Sequence, residues 1–180
     1  MPPKNIRTVR QLIYWEYAKM IAGRAVGDRK NYGFVMHCFK KLDGGQMSPS
    51  AVLRENKLLV EGERVCAYCA QACPDLQWEH IIPKSRGGPD TIDNMVQACP
   101  GCNTQKAARD PFEWYGEQGR DELPRLVLGK YLKLIFDFHE EAGTLDAADL
   151  NADGKLDVFD LGAVLLAART GRQAGPATAA

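Results

Sequence analysis

Hydrophobic positions cluster at both ends of the chain and thin out in the middle. From Ile6 to Val26 the apolar residues Val9, Leu12, Ile13, Trp15, Tyr17, Met20 and Ile21 recur at helical spacing, with no proline among them, and Gly27-Asp28 supplies a stop. Residues 32 to 42 hold Tyr32, Phe34, Val35, Met36 and Phe39, a run that suits either a strand or a short helix. Ser48-Pro49-Ser50 reads as the start of another helix, with Ser48 as N-cap, running to about Leu59. The block from 65 to 110 is rich in Cys, Gly, Pro and Asn and too polar to hold a core of its own. Such a segment needs a metal to fold. Helical patterning returns over Asp121 to Glu141, with a kink expected at Pro124. Residues 146 to 169 read as a separate small motif, and Gly171 to Ala180 as a small-residue tail.

This pattern divides the chain into a basic helical region (1–64), a central metal-dependent module (65–115), a helical region (116–145), an acidic loop with its helix (146–170) and a tail (171–180). The fold class expected is α+β: a mostly helical chain around a small metal-stapled core. No apolar run is long enough to span a bilayer, and no secretory leader is legible, so a cytoplasmic setting is expected.

Net charge is zero over the 180 residues, which neither favours nor excludes a polyanionic partner. Its distribution says more. Residues 1–64 carry 12 Lys/Arg against 6 Asp/Glu, and residues 115–180 carry 7 against 11.

In a reducing compartment six cysteines are a poor basis for disulfides. Four of them form two C-x-x-C turns, Cys66-Ala-Tyr-Cys69 and Cys99-Pro-Gly-Cys102. Two such turns supply the ligands of a closed tetrahedral zinc site, which is structural because no position is left for a reactive water. Cys73 is a weaker competitor, and Cys38 reads as a buried apolar residue. On the cysteines alone, a zinc ribbon without catalysis is as good a reading as any enzyme.

The residues between the turns change that balance. They read Glu79-His80-Ile81-Ile82-Pro83-Lys84-Ser85-Arg86-Gly87-Gly88, then Ile92-Asp93-Asn94, with Asn103 and Lys106 after the second turn. Residues 66 to 114 resemble the HNH endonuclease family, whose pattern combines an acid-His pair, I-x-P-x-S-x-G-G, Asn and C-x-x-C-N-x-x-K. The resemblance implies a ββα-metal (His-Me finger) core, with Glu79 and His80 on the first strand and Asn103 and Lys106 on the helix. It implies that Glu79 and Asn103 share one catalytic Mg²⁺, or Mn²⁺ in its place, at the scissile phosphate. Asn94 takes the place of the middle letter and holds the loop that orients His80. The sequence departs from the common pattern with Asn103 for the last His and Glu79 for Asp. His80 is the only histidine of the block, and because an imidazole can take up a proton at neutral pH it is the expected general base. Lys84, Arg86, Lys106 and Arg109 are candidate phosphate contacts.

A second resemblance lies near the C-terminus. Asp149, Asn151, Asp153, Asp157 and Asp160 fall at positions 1, 3, 5, 9 and 12 of a loop with Gly154 at position 6. Lys155, at position 7, would offer its carbonyl. This is similar to a single dockerin or EF-hand calcium loop.

The sequence therefore points to a metal-dependent HNH endonuclease acting on nucleic acid, DNA in the first instance, with Zn²⁺ structural, Mg²⁺ or Mn²⁺ catalytic and Ca²⁺ in the acidic loop. Specificity would come from a protein partner or a homodimer. The rival readings are a zinc-ribbon module that binds nucleic acid without cutting it, and an adaptor.

Overall fold

The computed structural model describes residues 2–48 and 64–170, without the side chains of 167–170. The helix expected from Ser48 to about Leu59 and the tail after 170 lie outside the described residues. Within them the order is α1 (Val9–Ala25), α2 (Tyr32–Asp43), β1 (Gln77–His80), β2 (Met95–Ala98), α3 (Pro100–Lys106), α4 (Pro111–Gly119), α5 (Arg125–Glu141) and α6 (Val158–Thr170). The α+β expectation holds: helices surround one two-stranded antiparallel sheet.

Helix α1 begins at Val9 because Thr8 caps it, its hydroxyl accepting from the Gln11 N–H at 3.3 Å. Two other first-turn donors, Val9 N–H and Arg10 N–H, bond to the carbonyls of Ala147 and Leu145. The start of the helix is thus satisfied by a segment distant in sequence. The ambiguous run at 32 to 42 is helical. Asn31 caps it, and Val35, Cys38, Phe39 and Leu42 point inward at helical spacing. Trp15 packs on the edge of Phe39, with ring centroids 6.1 Å apart. Pro124 does not kink a helix. Residues Arg120–Glu122 form a separate 3-10 turn, and Pro124 sits at the N-cap of α5, where its missing N–H costs nothing.

The segment after α5 does not form a core apart from the rest. Leu145, Val158, Leu161 and Leu165 are buried in the same hydrophobic cluster as Leu12, Leu128 and Tyr131. Gly162 allows α6 to approach closely, since any side chain there would meet the Asp110 carboxylate. The central block joins this cluster through Ile81, Ile82, Val96 and Phe112.

His139 ties α5 to α6. It is fully buried, its Nε2 donates to the Leu161 carbonyl at 3.1 Å, and its Nδ1 lies 2.8 Å from the Thr144 hydroxyl. Burial pushes this imidazole down to about 4, against a backbone hydrogen bond that opposes the shift. The unfolded chain protonates it near 6.5, so folding must hold it neutral below that pH. Its contribution is complete above pH ~6.5, erodes as the pH falls, and is gone by pH ~4. Acid titration of stability should show a loss of about 3 kcal/mol across this window that is absent in His139→Gln. Denaturant melts at stepped pH would measure it, and equal slopes in both proteins would contradict the assignment.

Candidate active site

A C-x-x-C turn at each end of a hairpin fixes its base. The four sulfurs of Cys66, Cys69, Cys99 and Cys102 all lie within 4.8 Å of one another, and Cys69 Sγ to Cys99 Sγ is 4.0 Å. Four thiols at that spacing fit one tetrahedral zinc ion with no position left over. Cys73 stays outside the set, and Cys38 lies in the core. Burial pushes the Cys66 thiol up, but backbone hydrogen bonds from Cys69, Cys99 and Tyr68 outweigh it and bring it down to about 7, which favours the metal-binding thiolate. The first turn docks on the sheet where Ala67 N–H donates to the Gln97 carbonyl at 2.8 Å. The second turn opens α3, with Cys99 as its N-cap.

Strand register sets which side chains share a face. Gln77 pairs with Ala98, Trp78 with Gln97, Glu79 with Val96 and His80 with Met95. Alternation puts Gln77, Glu79, Val96 and Ala98 on the inner face beneath α3, and Trp78, His80, Met95 and Gln97 on the outer face.

Glu79 and His80 therefore diverge. Glu79 is buried, and its carboxylate is taken at both oxygens. Lys106 Nζ lies 2.6 Å from one, and the Tyr68 hydroxyl donates to the other. Lys106 has no exposure and donates also to the His80 carbonyl at 2.9 Å. Burial pulls its ammonium down, while the Glu79 charge pulls it back up. Asn103 donates its amide to the Gln77 side chain at 2.9 Å. In this arrangement the Glu79 carboxylate, expected as a ligand of a divalent ion, is enclosed and paired with an ammonium, and the Asn103 amide is turned to Gln77.

His80 stands at the open end of the hairpin, its side chain 22% exposed, with Nε2 2.9 Å from Asp90 Oδ1. Lys84 Nζ lies 2.6 Å from the other Asp90 oxygen. Hydrogen bonds from Lys84 first, then His80, hold the Asp90 carboxyl below the usual range. With its proton on Nε2, directed at Asp90, the ring leaves Nδ1 as the basic atom.

The loop between the strands is built around Asn94. Its Oδ1 accepts from Ile82 N–H, and its Nδ2 donates to the carbonyls of Ile82 and Pro89, all at 2.9 Å. The Asn is completely buried. Gly87 takes a left-handed conformation (φ 86°), and Gly88 passes so close to the Ile82 carbonyl that any side chain would collide. This is the loop-holding role expected of Asn94.

Three of the four expected phosphate contacts are occupied otherwise. Lys106 is buried. Arg86 is half-buried, 2.7 Å from Glu113 and 3.9 Å from Asp110. Arg109 donates to the carbonyls of Lys106 and Gln105 and closes the end of α3. Lys84 is exposed and shares Asp90 with His80, and Arg109 is exposed as well. The acidic loop uses several of its carboxylate oxygens on its own backbone, while Asp149 Oδ1 is buried without a hydrogen-bond partner. Asp160 accepts from the N–H groups of Leu150, Asn151 and Asp157, and Asp149 from Gly154. Lys155, expected to offer a carbonyl, brings its ammonium to 2.7 Å from Asp157. Among the described residues only the four cysteines bring their ligand atoms within 4.8 Å of one another, and calcium in this loop is not shown.

Residues 66–109 match the family model of the HNH endonuclease. Over 56 residues the chain is 38% identical to the type IV methyl-directed restriction enzyme EcoKMcrA of Escherichia coli (strain K12), covering 30% of this chain. That match spans 20% of the relative's length. No solved structure matches the chain.

Four residues of the site escaped sequence reasoning. Asp90, Tyr68 and Lys130 carry no local pattern that marks them. Lys130 reaches from α5 to the carbonyls of Ile92 and Met95, at 2.6 and 2.9 Å. Asp110 was legible: Asp-Pro-Phe-Glu is a capping box with proline at the first helical position.

Cys102→Ser should abolish stoichiometric zinc and lower the melting temperature, whereas Cys73→Ser should keep both. Metal analysis with thermal melts reads this out. A zinc-free Cys102→Ser protein that melts like the parent would show that the thiol set is not a structural metal site.

Proposed function

We propose that residues 66–109 form a phosphodiester-cleaving site in which His80 is the general base and Asp90 holds it in place. The observation that carries this is the His80–Asp90 pair on the open face of a hairpin whose sequence matches the HNH endonuclease. Hydrolysis needs a base that takes a proton from water at neutral pH, presented to solvent in one fixed tautomer. Asp90 accepts a hydrogen bond from the Nε2–H, stabilises the imidazolium that forms, and leaves Nδ1 to take the proton from water. Asn94 fixes the loop that carries Asp90, and Lys84 adds positive charge at the same edge. DNA is the substrate this reading favours, because the similar E. coli protein is a restriction enzyme. No step is assigned to a divalent ion, since Glu79 is held by Lys106 and Tyr68.

That same engagement of Glu79 favours a second reading, in which the module binds nucleic acid without cutting it. The two are separated by incubating the chain with plasmid, linear duplex, single-stranded DNA and RNA, with and without Mg²⁺ or Mn²⁺. Wild type should cut DNA, His80→Ala should lose about 10²- to 10⁴-fold in rate, and Asp90→Asn should lose less. Cleavage undiminished in His80→Ala would remove His80 as the base. Salt-sensitive binding without cleavage by the wild type would establish the second reading.

A further inference from the structure

The outer face of the hairpin exposes a large aromatic residue that neither the zinc site nor the His80–Asp90 pair uses. Trp78 is 51% exposed. Its ring meets no other aromatic among the described residues, although Tyr68, Trp114 and Tyr115 pack edge to face with centroids 4.9 and 5.2 Å apart. The hairpin does not need this indole for its core, which is on the other face with Val96 and Ala98. Leaving a large ring half in water forgoes burial that would otherwise stabilise the fold.

We propose that Trp78 is a stacking platform for a base of the nucleic-acid strand that His80 engages, so that the bound strand presents an unpaired nucleotide there. This rests on the reading of the hairpin's open face as the nucleic-acid side, and it narrows the substrate class. Trp78 and His80 share that face two residues apart, about 6.6 Å along the strand. A phosphate at His80 therefore brings a neighbouring base within reach of the indole. The indole is the exposed apolar surface of this face, with polar His80 and Gln97 beside it and Met95 half-buried across from His80. That suits the face of a heterocycle better than a protein ridge, which would need contiguous apolar area. Every base offers a π-face, so stacking is tolerant of sequence. In an intact duplex those faces are covered by neighbouring pairs, so the base must leave the stack to reach Trp78. Gln97, directly across the ladder, places an amide beside the same position.

The test uses the full chain carrying His80→Ala, with fluorescence anisotropy on a labelled oligothymidine and on a duplex of equal length. Adding Trp78→Ala should weaken oligothymidine binding by roughly 5- to 100-fold, with Trp78→Phe staying close to the parent. Duplex affinity should change much less. Oligothymidine should also quench indole emission, and Trp78→Phe should remove that quench. Zinc content and melting temperature confirm that each variant is folded. A folded Trp78→Ala protein that binds oligothymidine as tightly as its parent would overturn the proposal, and so would equal losses on both ligands. Trp78-dependent binding alongside an uncleaved wild-type digest would uphold the platform while removing the nuclease reading.

Discussion

Two strands of four residues do not make a stable sheet in water. Everything around this hairpin follows from that constraint. Its base is pinned by four cysteine sulfurs close enough to share one ion. Its loop is closed by the three hydrogen bonds of Asn94. Its inner face is covered by α3 through Lys106 and Glu79, and its β2 end is held from α5 by Lys130. Each tie uses a polar group whose burial would be costly if unmet, so a partner is obligatory at every one. The result is a rigid frame with one face left open.

The buried Lys106–Glu79 pair decides where chemistry can take place. An ammonium with no exposure needs a carboxylate, and removing either partner from such a pair costs about 3–5 kcal/mol. Glu79 is thereby committed to the inner face, and Tyr68 takes its remaining oxygen. A strand turns adjacent side chains to opposite sides, so the same register that buries Glu79 directs His80 outward. The acid that reaches His80 comes instead from the loop, as Asp90. Adjacent in sequence, Glu79 and His80 therefore serve different purposes, one holding the frame and the other facing solvent.

What was legible in the sequence had short-range or fixed-spacing causes. The two C-x-x-C turns, the helical periodicity of α1 and the loop-holding Asn94 belong to this class. Long-range pairing was not legible. Nothing near Lys106 in sequence says that its ammonium will meet Glu79 rather than a phosphate, because that depends on how α3 lies over β1. Pro124 was misjudged for a related reason. Proline stops helices and also starts them, and only the 3-10 turn before it shows which. The 146–169 segment looked separate because its ties to the rest, the Leu145 and Ala147 carbonyls on α1 and the His139 ring on the Leu161 carbonyl, are long-range and use backbone acceptors that no pattern marks.

The fate of the positive charges bears on how a polyanion would be held. Residues 1–64 carry an excess of Lys and Arg. Several of those groups are engaged within the fold: Lys19 with Glu16 and Asp121, Arg29 with the Asp121 carbonyl, and Arg10 with Asp146. Arg86, Lys106 and Arg109 are likewise occupied near the hairpin. A charge already paired in the fold releases few counterions when a phosphate approaches, so its contribution to affinity is small. On the proposed reading, contacts that do not depend on net charge would add to the binding, and on the open face those are the flat ring of Trp78, the amide of Gln97 and the imidazole of His80. A surface of that kind would discriminate by whether a base can be reached rather than by how much phosphate is present.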